Sequence, residues 1–409
     1  MESTLISETT VPLSSGTIAR RLGTYAVVLA VWVSLLIAVD PSGDGFGMNA
    51  IPLTKYLPVE FAVLGAGFYL LSPRTVEWPA TVWMLGAFAI LVLGGSVVTI
   101  GAFHAHFEDS FLGRGLGVLA VFPAYEVFHR PAEERILRLG LRGPFVATTV
   151  IIVLGLLVWR AGFRFVDQPH IYHEEIFIPV CCALGLYAEG RGQPRWSLVT
   201  AFWMAGLLSL KYTGILASTI VGVFIMRSIW RKAGRSSATQ LRRVILVQAL
   251  VWATVLTVAI VVLYRDVLPS GSPAVRAFTY LDRLKRFSDH PITGTGFTGT
   301  PLLSLFRRSA PINLVIPSHS DILDMLAFGG LVGAMLFAVP ALSGLRRSVQ
   351  TLPVSIENGD WLRALAAGTV AVFLVEMVFN PVWNQPNLMV LFDVALACML
   401  SRRSGSVSR

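Results

Sequence analysis

The feature that most constrains this chain is a succession of apolar runs, 15 to 25 residues long, along nearly its whole length. The first is Tyr25 to Val39. Others lie near 57–72, 79–101, 110–127, 145–160, 174–189, 196–210, 213–229, 243–264, 321–345, 362–380 and 386–401. A run of this length matches a helix crossing a bilayer, because a helix satisfies its backbone polar groups internally where no water is available. The expected fold is therefore an all-α polytopic membrane protein of about 12 transmembrane helices. The runs at 110–127, 174–189 and 196–210 are short or interrupted by Gly, which predicts tilted or sheltered segments. Composition agrees where it discriminates: 14% of the 409 residues are charged and the mean hydropathy is +0.67, whereas an ordinary soluble domain is roughly 25% charged.

The runs divide the chain into a polar tail (1–18), helices 1–9 (19–264), one long loop (265–320), helices 10–12 (321–401) and a short tail (402–409). Arg20 and Arg21 precede the first run, which ends in Asp40-Pro41 without a small-x-small cleavage site, the pattern of a retained signal anchor. A net charge of +9 would direct attention to nucleic acid in a soluble protein, but most of the 33 basic residues lie between the runs, so no nucleic-acid partner is expected. The groups Arg130/Arg135/Arg138/Arg142, Arg227/Arg231/Lys232/Arg235/Arg242/Arg243, Arg346/Arg347 and Arg402/Arg403 fall on one side of the alternation, which the loop-charge rule makes cytoplasmic. Both termini then face the cytoplasm, and 265–320 lies outside. Cys181, Cys182 and Cys398 sit in apolar runs without ligand-like spacing and read as small buried residues.

The long loop carries the densest chemistry. Val275, Phe278, Leu281 and Leu284 form one helical stripe, while Arg276, Tyr280 and Arg283 stand on another face, predicting an amphipathic helix at the membrane surface with a row of cations. Asp289-His290-Pro291 ends it, and the following Gly294-Thr295-Gly296 permits a tight turn. As a phosphate cradle that pattern is weak, having no preceding strand and no Lys-Ser/Thr after it. Further on, Ser318 and Asp321 have capping-box spacing, which predicts His319 in the first turn of a helix, where an imidazole tends to stay neutral and can accept a proton. Asp321 and Asp324 also have a plainer reading as helix-start carboxylates.

Taken together, Arg276, Gly294-Thr295-Gly296 and Ser318-His319-Ser320-Asp321 opening a Gly-containing apolar helix resemble the core signature of the O-antigen ligase and O-antigen polymerase family of bacterial membrane proteins. The match is close over about 70 residues; the apolar runs agree over most of the rest but add little specificity. The chain departs from the family pattern at Lys211, where an Arg is usual, and at Ser320, where Asn is common. Lys lacks the bidentate fork of Arg, so the contact made there differs in geometry.

The resemblance implies a periplasmic active face in a bacterial inner membrane. It also implies a donor made of a glycan on a polyprenyl-pyrophosphate lipid, and a glycan or lipid-anchored sugar as acceptor. On that reading His319 and Arg276 are the catalytic residues, with Arg276, Lys211 and Arg283 on the pyrophosphate. Tyr280, Ser320 and Asp321 are candidates near the acceptor or in the loop. A guanidinium suits the phosphate because it pairs bidentately and stays charged. Lipid pyrophosphate is already a good leaving group and the loop holds no carboxylate cluster, so neither metal nor cofactor is expected. Arg286 could extend the anionic site; Arg160, Arg164, His170 and His173 form a further polar cluster, while His104 and His106 read as solvated loop residues.

Two other classes remain open. A transporter or lipid-linked-glycan flippase is favoured by Glu376 and Asp393 inside apolar runs, although Glu376 lies near a run's end where hydration is cheap, and no internal repeat or pair of broken helices is visible. A structural subunit of a membrane complex is the third.

Overall fold

The computed structural model describes residues 15–39, 56–72, 76–103, 111–162, 175–209, 211–233, 272–297, 302–307, 310–317, 320–379 and 382–401. The run at 243–264 and both chain termini lie outside the described residues. Each other apolar run becomes helix: α1 (Ser15–Ala38), α2 (Leu57–Leu70), α3 (Ala80–Phe103), α4 (Leu112–Val118), α5 (Val121–Phe128), α6 (Pro131–Arg160), α7 (Phe177–Glu189), α8 (Trp196–Leu208) and α9 (Tyr212–Ala233). Then follow α10 (Ser272–Asp289) in the long loop, α11 (Asp321–Glu357), α12 (Trp361–Phe379) and α13 (Pro386–Leu400). Among the described residues, six helices are long and apolar enough to cross a membrane, and four shorter ones are also apolar. The chain is a helical membrane protein.

Local sequence explains the boundaries. Pro131 and Pro386 open α6 and α13, in the first turn where a missing N–H leaves no bond unmade. The helix α6 starts well before the run at 145–160 because its first half is amphipathic, burying Leu137 and Leu141 while Glu133 and Glu134 occupy the first turn. The run at 110–127 is divided into α4 and α5 at Leu119-Ala120, just after Gly113, Gly115 and Gly117, residues that hold helix poorly.

Every residue of α13 is buried, and almost all of α7, so these helices occupy the centre, as helices apolar on all sides must. Around them, α12 packs against α7, α11 and α13, while α3 and α6 turn Ile90, Val97 and Leu154 outward. The antiparallel succession α11–α12–α13 defines two ends of the bundle. Trp383 donates its backbone N–H to Asp321 (2.7 Å) at one, and Arg347 bonds the Leu400 carbonyl at the other. The α7–α8 turn lies at this second end, since Gly359 abuts Arg191. The α8–α9 turn with Lys211 therefore lies at the Asp321 end.

One element departs from the all-helical expectation. Residues Leu302–Arg307 (β1) and Ala310–Pro317 (β2) pair antiparallel, Leu302 opposite Pro317 and Leu305 opposite Leu314, with an irregularity between Leu305 and Arg307. Branched and apolar residues such as Ile312, Val315 and Ile316 favour strand over helix.

Candidate functional site

The site is assembled from α10, the turn that follows it, and the start of α11. The helix α10 lies against α11 with Thr279 and Arg283 inward, both 1% exposed, and with Leu281 (66%) and Leu284 (47%) outward. The face bearing Arg283 thus points into the protein and the leucine stripe away from it, which suits a helix whose apolar side meets lipid.

Residues 291–297 then dock on a break in α11. Gly330 has φ 57° and ψ −161°, a conformation that suits glycine, and it divides the helix. The turn supplies the backbone partners that the break removes. Leu331 and Val332 donate to the carbonyls of Pro291 (2.9 Å) and Ile292 (3.0 Å). Thr295 donates to the Ala327 carbonyl (3.2 Å), and Gly296 (2.7 Å) and Phe297 (3.0 Å) donate to that of Phe328. Gly294, with φ +60°, approaches so closely that an added Cβ would lie 2.5 Å from the Phe328 carbonyl. Because the N–H of Gly294 is bonded to the His290 carbonyl (2.9 Å), every N–H from 294 to 297 is engaged with backbone. The Gly-x-Gly segment is a docking turn here, with no backbone N–H left to cradle a phosphate. Phe297 fills the space behind it, fully buried among Phe88, Phe111, Phe328 and Trp383.

At the start of α11, Ser320 is the N-cap, with extended dihedrals (φ −155°, ψ 111°) and its hydroxyl accepting from Leu323 N–H at 3.4 Å. This corrects the capping-box expectation: the cap is Ser320 and not Ser318, so His319 precedes the helix and does not sit in its first turn. The carboxylates that follow, Asp321 and Asp324, are completely buried. Asp321 accepts from Trp383 N–H. Asp324 accepts from Arg283 Nε at 2.7 Å, while Arg283 Nη1 donates to Asp282 at 2.6 Å and Arg286 Nε reaches the same Asp282 oxygen at 2.9 Å. The guanidiniums of Arg283 and Arg286 lie 5.0 and 5.9 Å from the Phe328 ring centre.

Of the residues proposed from sequence, Arg283, Ser320 and Asp321 come together at this junction, and Tyr280 is half-buried on α10. The guanidinium of Arg283 is turned into the protein and held by two carboxylates, an anchoring position. Arg276 stands two helical turns before Arg283; its side chain lies outside the described residues, as does His319. Lys211 leads α9, packed with α7, α8 and α12, so it belongs to a different helix group at the same end. Its backbone N–H donates to Ser209 Oγ (3.2 Å), and Arg160 caps the end of α8 through the carbonyls of Leu208 (3.0 Å) and Ser209 (2.8 Å). The rest of that polar cluster, Arg164, His170 and His173, lies outside the described residues, with His104 and His106. Glu376 is completely buried, against the expectation of easy hydration near the run's end, because α12 is enclosed by its neighbours. Among the described residues no group of three or more His, Cys, Asp or Glu side chains is arranged to hold a metal ion.

Sequence reasoning missed Arg114 on α4 and Trp383. Arg114 is buried, its Nη1 3.8 Å from Asp324 Oδ2, its guanidinium 4.6 Å from the Phe111 ring centre and 5.2 Å from that of Trp383. An arginine inside an apolar run was the signal available.

No protein-family model and no curated protein matches the chain.

Proposed function

We propose that this protein is a membrane glycan transferase that moves a glycan from a polyprenyl-pyrophosphate donor to an acceptor hydroxyl, of the O-antigen ligase or polymerase kind. In this reading the chain crosses a bacterial inner membrane about twelve times. Both termini lie in the cytoplasm, and the Asp321 end faces the periplasm. Arg276 and Lys211 hold the pyrophosphate, His319 takes the acceptor proton, and Arg283 anchors the helix that carries Arg276.

The observation that carries the reading is the junction itself. The segments bearing the Arg-loop-His pattern are distant in sequence, yet the turn 291–297 completes the backbone of α11 at Gly330, joining α10 to the helix that begins just after His319. Electrostatic stabilisation of a departing pyrophosphate requires groups fixed in this way before substrate arrives.

Complementing a gene deletion with Arg276→Ala, Lys211→Ala or His319→Ala at matched membrane abundance tests the reading. Loss of surface polysaccharide with Arg276→Ala and His319→Ala is expected, and full complementation by both refutes it. Single repeats left on the acceptor indicate a polymerase, and long glycans stranded on the lipid carrier a ligase. Lys211→Arg retains activity if the position serves as a cation.

The buried acids Glu376 and Asp393 and the break in α11 favour a second reading, a transporter or lipid-linked-glycan flippase. That reading predicts that Glu376→Gln or Asp393→Asn abolishes function while His319→Ala does not.

A further inference from the structure

Arg114 stands apart from both the sequence pattern and the proposed chemistry. It is 4% exposed in a seven-residue helix, and among the described residues neither Nη1 nor Nη2 has a hydrogen-bond acceptor. An arginine buried with open donors is costly, so its surroundings show what it is there for. Two aromatic faces flank it, and the described carboxylate within ion-pair range is Asp324, at 3.8 Å.

Charge balance gives the reason. Asp321 and Asp324 are both fully buried, and Arg283 Nε bonds Asp324 through Oδ1. Two carboxylates in a low-dielectric interior call for more than one cation, and Arg114 brings a second guanidinium to Asp324. It also closes a ring of contacts: Arg114 lies over Trp383, Trp383 N–H is held by Asp321, and Asp321 shares the first turn of α11 with Asp324.

We propose that Arg114 is a positioning residue, the second cation on Asp324, in an Arg114–Asp324–Arg283 relay that fixes the first turn of α11 against α10. Residue 319 immediately precedes that N-cap in sequence, so on the transferase reading the relay acts on the reaction through the start of α11. The part concerning the reaction rests on the transferase reading; the ion relay does not.

The test uses the full-length protein in detergent, as wild type, Arg114→Met, Asp324→Asn and the double variant. Each single change lowers the unfolding temperature by several degrees, and the double by less than the sum; additive shifts overturn the relay. With a polyprenyl-pyrophosphate glycan as donor, Arg114→Met lowers kcat about ten-fold or more while KM stays within about two-fold, since the group displaced is not itself in contact with donor. A raised KM with unchanged kcat overturns the assignment by showing direct contact, and unchanged kinetics overturn it outright. If Arg114→Met does not accumulate, Arg114→Lys takes its place. It keeps the charge and loses the planar stacking, so kcat falls by an intermediate amount, and wild-type kcat refutes the proposal. A stable wild-type protein without transfer activity refutes the transferase reading alone, and the coupling of unfolding temperatures still decides the relay.

Discussion

At the Asp360 end of the bundle, Arg138 joins Asp360 and Glu134, each at 2.9 Å, and Arg363 approaches the same two acids at 3.6 and 4.0 Å. At the Asp321 end, Arg283 and Arg114 approach Asp324 at 2.7 and 3.8 Å. Both clusters oppose arginines to carboxylates, but they are built differently. The first touches solvent, its Arg138 side chain being 25% exposed, and it joins the start of α6 to the α11–α12 turn. The second is sealed around Asp324, although Arg283 also reaches the partly exposed Asp282: Arg114 lies over Phe111 and Trp383 and Arg283 over Phe328, and their side chains are 5% and 1% exposed. Ions at a wet edge can exchange partners with water, whereas sealed ions are held in one arrangement and lose much when a partner is removed. A network of the second kind serves geometry more than stability.

Three measurements would break or sharpen that contrast. Truncating the sealed pair has the largest effect: Arg283→Ala leaves Asp324 without its hydrogen-bonded cation and is expected to destabilise the protein by about 3–5 kcal/mol in detergent unfolding. A loss as small as that of a surface pair would show that water reaches Asp324. Next comes the docking turn, where Gly294→Ala places a Cβ against the Phe328 carbonyl at positive φ, at an expected cost of about 1–3 kcal/mol. Proteolysis near residue 297 should rise in that variant; an unchanged rate would mean that the turn is held by Phe297 alone. The smallest effect is expected from Arg138→Ala, about 1 kcal/mol or less, because Arg138 is partly exposed and Arg363 stays beside both of its acids. Its effect should shrink further as salt is raised, while that of Arg283→Ala should not.

The positions of the described apolar helices were legible because length and apolarity alone decide them, and α10 was legible from its periodicity. The orientation of α10 was not, because a helix with leucines on one side and arginines on the other reads as amphipathic whichever side meets the protein. The extent of α6 was hidden since its arginines interrupt the apolar run without interrupting the helix. The cap of α11 fell at Ser320 instead of Ser318, two serines that local spacing does not separate and that tertiary contacts at Asp321 and Asp324 do. Arg114 depends on partners remote in sequence, so no local pattern announces it, whereas the hairpin pairs within itself and its branched run Ile312, Val315 and Ile316 was the local signal available. The Gly-x-Gly segment was recognised as a turn, but its partner, the break at Gly330, becomes visible only when the two glycines face each other.

The excursion between Phe297 and Ser320 begins at a ring locked in an aromatic box and ends at a helix cap. Both anchor points have contacts outside the excursion. Exchanging the hairpin for another sequence, or one of different length, is therefore expected to leave residues 297 and 320 in place. On that expectation the hairpin is a part on a fixed mount, and chimeras in this stretch vary what the Asp321 end meets without disturbing how it is built.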